Sequence, residues 1–360
     1  MSTSDQNNSA LDDEVSDETS QEAEQESDNA DTLVDAKDDR KTILIFGISS
    51  FVGSNLAQFF KEDFRVVGTY HGNPVKVPGI LSIPCDVHEK AEVQLALFAF
   101  RPDISIYCVG IASVFDCYKS QQKAEALNTS GLFNVAEMCQ RYKSQICYIS
   151  SSYVFGGDDK PYIEMDIPDA NSTLGKTQAA AEFYIQKTSL NYIIFRCSRL
   201  YGRSIHPIRK NFLEVLQKRL RQGQNFICDN TVVNGFLDIA YLAMVLKICF
   251  DKNVMNRLFQ LSSSDALSYY DFSKQYCEVF GDNSELVVKG KWPFPVLSAG
   301  AGGAISGDDL FYKMDIGNLE GFLNIKMPTI KESLAYSYRR FGGKVEEDKS
   351  SKKGEGITFI

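Results

Sequence analysis

The chain has 360 residues, with 47 Asp and Glu against 38 Lys and Arg and a formal net charge of −9. Its hydrophobic content of 44% is ample for a packed core, and no run approaches the roughly 20 apolar residues of a membrane span. The charge is concentrated at one end: residues 1–40 hold 14 acids and 2 bases, and the remainder holds 33 acids and 36 bases. A body so close to neutral excludes a binder of the nucleic-acid backbone, and the N-terminus lacks the basic-then-apolar pattern of a signal peptide.

Residues 1–40 have almost no apolar content, so they are expected to form a disordered acidic tail that cannot offset its ordering entropy. Residues 342–360, rich in Lys, Glu, Ser and Gly, are expected to form a flexible tail. The first ordered element is a strand at Lys41–Gly47, short, apolar and ending in glycine. Helical spacing follows over Ser54–Glu62, then a strand at Arg65–Tyr70 and a helix over Lys90–Phe100. A strand is expected at Ile104–Gly110, a helix over about Gln121–Tyr142 and a strand at Ile146–Ser152. A helix over Thr173–Thr188 and a strand at Tyr192–Ser198 complete the pattern. Strands alternating with helices imply parallel pairing through right-handed crossovers, hence a doubly wound α/β sheet.

The join between the first strand and helix is Gly47-Ile-Ser-Ser-Phe-Val-Gly53. Gly47 suits the tight turn, and Gly53 allows close helix–strand packing. Between them Ser49, Ser50, Phe51 and Val52 present N–H groups at a helix start, where the dipole favours a pyrophosphate. Ser50 stands where the middle glycine of a GxxGxxG turn would be, and either bonds a phosphate or narrows its approach. The second strand ends Thr69-Tyr70-His71, without the carboxylate that accepts from a ribose 2′-hydroxyl. The pattern therefore implies NADP or NAD and leaves the choice open.

Nine cysteines, an odd number without CxxC spacing, read as reduced thiols in a cytoplasm-like compartment. His71, His88 and His206 show no metal spacing.

Further markers lie in order along the chain. They are Cys85-Asp86-Val87, Arg101–Ser113, Asn128, the stretch Tyr148–Ala170 with its YISSSYVFGG and PYIEMD segments, and Lys313–Leu334. With these the chain resembles an extended short-chain dehydrogenase/reductase. It is similar to the dTDP-4-dehydrorhamnose reductases and to the regulatory beta subunit of methionine adenosyltransferase. The resemblance covers roughly Lys41 to Phe341. It implies an α/β, Rossmann-type doubly wound parallel sheet with a smaller C-terminal substrate lobe. Residues 41–200 would bind NAD(P), and 201–341 would mainly form the substrate lobe, with returns to the sheet. It also implies that Asp86 and Val87 face the adenine, that Cys108, Val109 and Gly110 lie beside the cofactor, and that Asn128 and Ser151 occupy family catalytic positions.

The family's chemistry needs a Tyr-x-x-x-Lys pair one helical turn apart, the Tyr as general acid and the Lys as its cationic helper. Alignment from Gly175, Thr177 and Glu182 puts Leu174 at the Tyr and Gln178 at the Lys. Neither can do that work. Lys176 faces about 200° away from Leu174 on an ideal helix, and pairing Ser172 with Lys176 would shift the register. The resemblance therefore implies a small-molecule substrate of nucleotide-sugar type with a degenerate active site. Two alternatives stand beside it: an active 4-keto reductase with a rewired proton path, and a regulatory or scaffold subunit. Whether the partner is a second copy or another enzyme is left open.

In the second lobe a helix is expected over Lys210–Leu220, with Arg203, Arg209 and Lys210 as candidates for a substrate diphosphate. Asp238 is read as the N-cap of an apolar helix, and Trp292–Leu310 as a mobile, glycine-rich loop at the cleft mouth.

Overall fold

Alternating burial on β1 (Thr42–Phe46) organises the molecule. Ile43 and Ile45 point into one apolar layer and Leu44 and Phe46 into the other, all fully buried. Burying such a side chain is worth about 1.5–3 kcal/mol, and a strand apolar on both faces can only sit at the centre of a covered sheet. The computed structural model describes residues 39–205, 210–296, 304–306, 309–343 and 358–359, and every element named below belongs to the unit Lys41–Ile360. The acidic tail expected over 1–40 lies outside the described residues save for its last two.

After β1 come α1 (Phe51–Phe60), β2 (Arg65–Tyr70), β3 (Leu81–Pro84), α2 (Lys90–Phe100) and β4 (Ile104–Tyr107). Short helices α3 (Val114–Lys119) and α4 (Gln121–Glu125) lead through a π-turn at Ala126–Ser130 into α5 (Gly131–Tyr142). β5 (Gln145–Ser151), α6 (Thr173–Thr188) and β6 (Tyr192–Cys197) follow. Farther on, β7 (Arg199–Tyr201), α7 (Phe212–Arg221), β8 (Phe226–Asp229), β9 (Val232–Asn234), β10 (Phe236–Asp238), α8 (Ile239–Asp251) and β11 (Arg257–Leu261) alternate.

The central sheet runs β11-β6-β5-β4-β1-β2-β3, parallel throughout. The strand order reverses between β1 and β4, so a crevice opens there at the carboxyl ends of the strands. Helices α1 and α8 cover the Ile43 face, and α2, α5 and α6 cover the Leu44 face. The strand expected at Ile104–Gly110 stops at Tyr107, after one more ladder bond from Cys108 N to Phe46 O, because Gly110 turns with φ 146°. The helix expected over Gln121–Tyr142 is interrupted by the π-turn, which presents Asn128 to the neighbouring loop.

The smaller lobe packs α7, α9 (Tyr269–Phe280) and, beyond α10 (Gly317–Leu323), α11 (Ile330–Arg340) around an apolar cluster that includes Leu216, Phe236, Phe272 and Leu334. Two segments of this half return to the main sheet: β11 pairs with β6, and α8 packs on the Ile43 face. Thr358–Phe359, in the segment expected to be loose, pairs antiparallel with Ile325–Lys326. Asp238 caps α8 by accepting from Ala240 N, and it is also bound by Ser337 and Arg340 from α11. It is thus a tie between helices, in keeping with its reading as structural.

Candidate functional site

A cleft of about 1150 Å³ opens at the carboxyl ends of the strands. Its walls come from the start of α1, the loop after β4, the end of β5, one face of α6 and the segment that follows β6.

The glycine turn has the shape its sequence requires. Gly47 has φ +85°, and a Cβ there would stand 2.9 Å from the carbonyl of Cys108. At Gly53 a Cβ would run into the Gly47 carbonyl oxygen. Only glycine lets β1, β4 and α1 meet this closely. The Ser50 hydroxyl accepts from Gly53 N at 2.9 Å and caps α1. Ser50, Phe51 and Val52 line the cleft, together with Cys108, Val109 and Gly110. Burial pushes the Cys108 thiol up to about 12, so it is no nucleophile near neutral pH.

Gly47, Ser49, Gly53, His71, Asp86 and Val87 do not line this cleft. Gly47 and Gly53 shape the turn beneath it. His71 and Asp86 lie just past the ends of the paired strands β2 and β3 and form a separate polar group. The Asp86 carboxylate accepts from His88 N at 3.0 Å and lies 2.9 Å from His88 Nδ1 and 3.7 Å from His71 Nε2. These interactions, the His88 backbone bond foremost, hold its pKa below the ordinary carboxylate value. Val87 packs against Gly131 of α5, and its carbonyl accepts from Asn134.

Asn128 is a strut. Its Oδ1 accepts from Ile111 N at 2.8 Å, and its Nδ2 donates to Ile111 O and to Thr177 Oγ1. It therefore joins the loop after β4 to α6 and is only 5% exposed.

At the end of β5, Ser151 Oγ donates to Gln178 Oε1 at 2.5 Å. Gln178 lies on α6, one turn beyond Leu174. Leu174 is buried with Val114, Tyr153 and Tyr201, and it borders the cleft as a hydrocarbon surface. The helix is drawn in tightly because Gly175 has no side chain to strike the Tyr153 carbonyl. Ser172 accepts from Gly175 N as the α6 cap, and Lys176 is exposed on the other side. Neither lines the cleft, so the shifted Ser172–Lys176 pair has no access to it.

The far wall holds Arg199, Lys210, Asn211, Asp229, Tyr269 and Trp292. Lys210 was expected there. Arg203 was expected too, but it donates instead to the Phe341 carbonyl and lies over the Phe341 ring. Arg209 lies outside the described residues, as does most of the glycine-rich stretch 297–308. Arg199 and Tyr269 were not singled out from the sequence. The available signal was the placement of Arg199 two residues past a parallel strand's carboxyl end. Among the described residues no three His, Cys, Asp or Glu gather as metal ligands, and no helix is long and apolar enough to cross a membrane.

A parallel sheet with its first crossover at a two-glycine turn, and a cleft over the strand ends, defines a Rossmann-type protein of the extended short-chain reductase kind. The pattern described as the RmlD substrate binding domain matches residues 41–291, and the chain belongs to that family. A probable low-salt glycan biosynthesis reductase of Haloferax volcanii is 24% identical over 300 residues, which cover 81% of this chain and 95% of that protein. Methionine adenosyltransferase 2 subunit beta of Rattus norvegicus is 33% identical over 104 residues, 29% of this chain and 31% of that one. Among solved structures, dTDP-4-dehydrorhamnose reductase from Bacillus anthracis in complex with NADP superimposes with a TM-score of 0.71 at 19% identity. That match covers 84% of this chain and 98% of the other. UDP-glucose 4-epimerase from Thermotoga maritima with UDP-glucose has a TM-score of 0.70 at 18% identity, with 84% and 98% covered. These structural likenesses establish the shared fold.

Proposed function

We propose that this protein binds NADP or NAD and a small molecule of nucleotide-sugar type, and that it carries out ordinary carbonyl reduction weakly or not at all. One observation carries the second half: the hydroxyl of Ser151 is turned onto an uncharged amide, Gln178, beside the hydrocarbon of Leu174.

The residues present suit a dinucleotide. Gly47 and Gly53 let β1, β4 and α1 meet closely, and Ser50, Phe51 and Val52 at the start of α1 line the crevice, where a helix N-terminus favours a pyrophosphate. Cys108, Val109 and Gly110 would line its path toward the Ser151 end. His71 and Asp86 would meet the adenosine half. A bound nicotinamide supplies or accepts a hydride; the protein must then move a proton at the substrate oxygen. Ser151 has a proton, but it is held by Gln178, and no cation on α6 is placed to lower the pKa of a donor beside it. Tyr153 has its hydroxyl 3.4 Å from that of Tyr269 and is 4% exposed, so it is committed to the second lobe.

The test combines calorimetric titration with NADPH and NADH and hydride transfer from NADPH to a 4-keto nucleotide sugar at high enzyme concentration. Cofactor binding with little or no turnover is expected. Turnover at the rate normal for sugar-nucleotide reductases would establish the rewired-path alternative instead.

The similarity to methionine adenosyltransferase 2 subunit beta supports a second reading, a companion subunit of another enzyme. Co-purification of a stable enzyme partner from the native host would support it, and a lone protein would count against it. The nine unpaired thiols suit a reducing, cytoplasm-like compartment.

A further inference from the structure

Two arginines of this molecule are matched to buried carboxylates. Arg196, 3% exposed, grips Glu182 through Nε and Nη2 at 2.8–3.2 Å. Arg340 is bound to the fully buried Asp238. Removing a guanidinium from water without such a partner is costly.

Arg199 is built differently. It is half-buried at the start of β7 and lines the cleft. Its guanidinium stands over the Tyr269 ring, 5.8 Å from the centroid. Among the described residues no carboxylate oxygen lies within 4.0 Å of it. Asp229, on the same wall, is already occupied: its oxygens accept from Thr231 N, Val232 N and Trp292 N. Tyr269 contributes no charge either, since burial pushes its phenol far above the ordinary value. Among the described residues of its walls the cation therefore has no counter-ion.

Its position says which part of a ligand it meets. Cys197 is in register with Ser151 across β6 and β5, and Arg199 follows two residues later. Arg199 therefore stands at the end of the cleft that holds Ser151 and Gln178. Lys119 and Lys123 line it from α3 and α4, and Lys210 from just before α7, so other cations are present for a diphosphate. A guanidinium fork matches a carboxylate in a bidentate, planar fashion.

We propose that Arg199 recognises an anion at the Ser151 end of the cleft, and that the small molecule bound there carries a carboxylate, as a sugar acid does. This rests on the small-molecule reading of the cleft given above.

Isothermal titration of the full chain with UDP-glucuronate, UDP-glucose and UDP, each with and without NADPH, tests the assignment. UDP-glucuronate is expected to bind about tenfold or more tightly than UDP-glucose, as one charge-assisted bidentate contact allows. Arg199→Gln should bring the two to similar affinity, and Arg199→Lys, which keeps charge but loses the fork, should fall between. The thermal midpoint of Arg199→Gln should equal or exceed that of the wild type, because no internal ion pair is broken. Equal affinity for the two sugars in the wild type overturns the proposal, as does failure of UDP-glucuronate to bind. An equal loss of UDP and UDP-glucuronate in Arg199→Gln also overturns it, by assigning the residue to the diphosphate. NADPH titrated alone reports separately on the dinucleotide reading, so the two can fail independently.

Discussion

Ser151 donates its hydroxyl proton to the carbonyl oxygen of Gln178 across 2.5 Å. A lysine in place of Gln178 could only donate, so it would leave the serine proton free for a ligand. The amide accepts that proton and removes it from use. Leu174 completes the change, because one helical turn earlier it closes the same wall with hydrocarbon.

This relationship predicts a restoration. In Leu174→Tyr/Gln178→Lys, reduction of a 4-keto nucleotide sugar by NADPH should rise by about 10²-fold or more over the wild type, the contribution of a positioned acid–base group. Either single variant should gain much less. Leu174→Tyr adds volume beside a packed cluster at a cost of about 1–3 kcal/mol, so the thermal midpoint should be followed alongside turnover. Equal activity of the wild type and the double variant would refute this account of the site.

The Ser50 cap makes a different prediction. Ser50→Ala removes the acceptor for Gly53 N and should cost about 1 kcal/mol, whereas Ser50→Gly should cost only a few tenths. Ser50→Gly also removes a side chain from the lining of the crevice. Calorimetry should therefore show NADPH binding several-fold more tightly to Ser50→Gly than to the wild type.

Two buried polar ties should dominate stability. Glu182→Gln leaves Arg196 charged and unmatched in the interior, with a cost of about 3–5 kcal/mol. Asn128→Ala strands the N–H and carbonyl of Ile111 and should cost about 2–3 kcal/mol. Denaturant unfolding reads both, and Arg199→Gln, which breaks no ion pair, is the contrasting control.

The pKa of Asp86 is lowered in the folded state, chiefly by the bond from His88 N. A lowered carboxylate contributes stability above its unfolded value of about 3.9, and loses it as pH falls through the lower folded value. The thermal midpoint of the wild type should thus fall more steeply than that of Asp86→Asn as pH drops below about 4. The group is partly exposed, so the difference should be small, and high salt should reduce it further.

The parallel sheet was legible in the chain because its central strands are buried on both faces. Thr42–Phe46, Arg65–Tyr70 and Tyr192–Cys197 appear as short, β-branched runs with turn residues beside them. The glycine turn was legible because only glycine tolerates the approach of two backbones. Leu81–Pro84 was not marked out, being a four-residue edge strand with exposed and half-buried positions and little periodic signal. The nature of Leu174 and Gln178 was equally plain in the sequence, since residue type alone decides whether a side chain can carry a proton or a charge.

What the sequence by itself determined is therefore the doubly wound sheet, the glycine turn at Gly47 and Gly53, and side chains without a proton or charge at Leu174 and Gln178. Only the tertiary structure decided where the remaining polar groups point. It turned Ser151 onto Gln178 and Arg203 onto the Phe341 carbonyl, and it left Arg199 facing the cleft. Those choices depend on partners as many as 138 residues apart along the chain. Hydrogen-bond partnership is settled by packing in three dimensions, and local spacing carries no record of it.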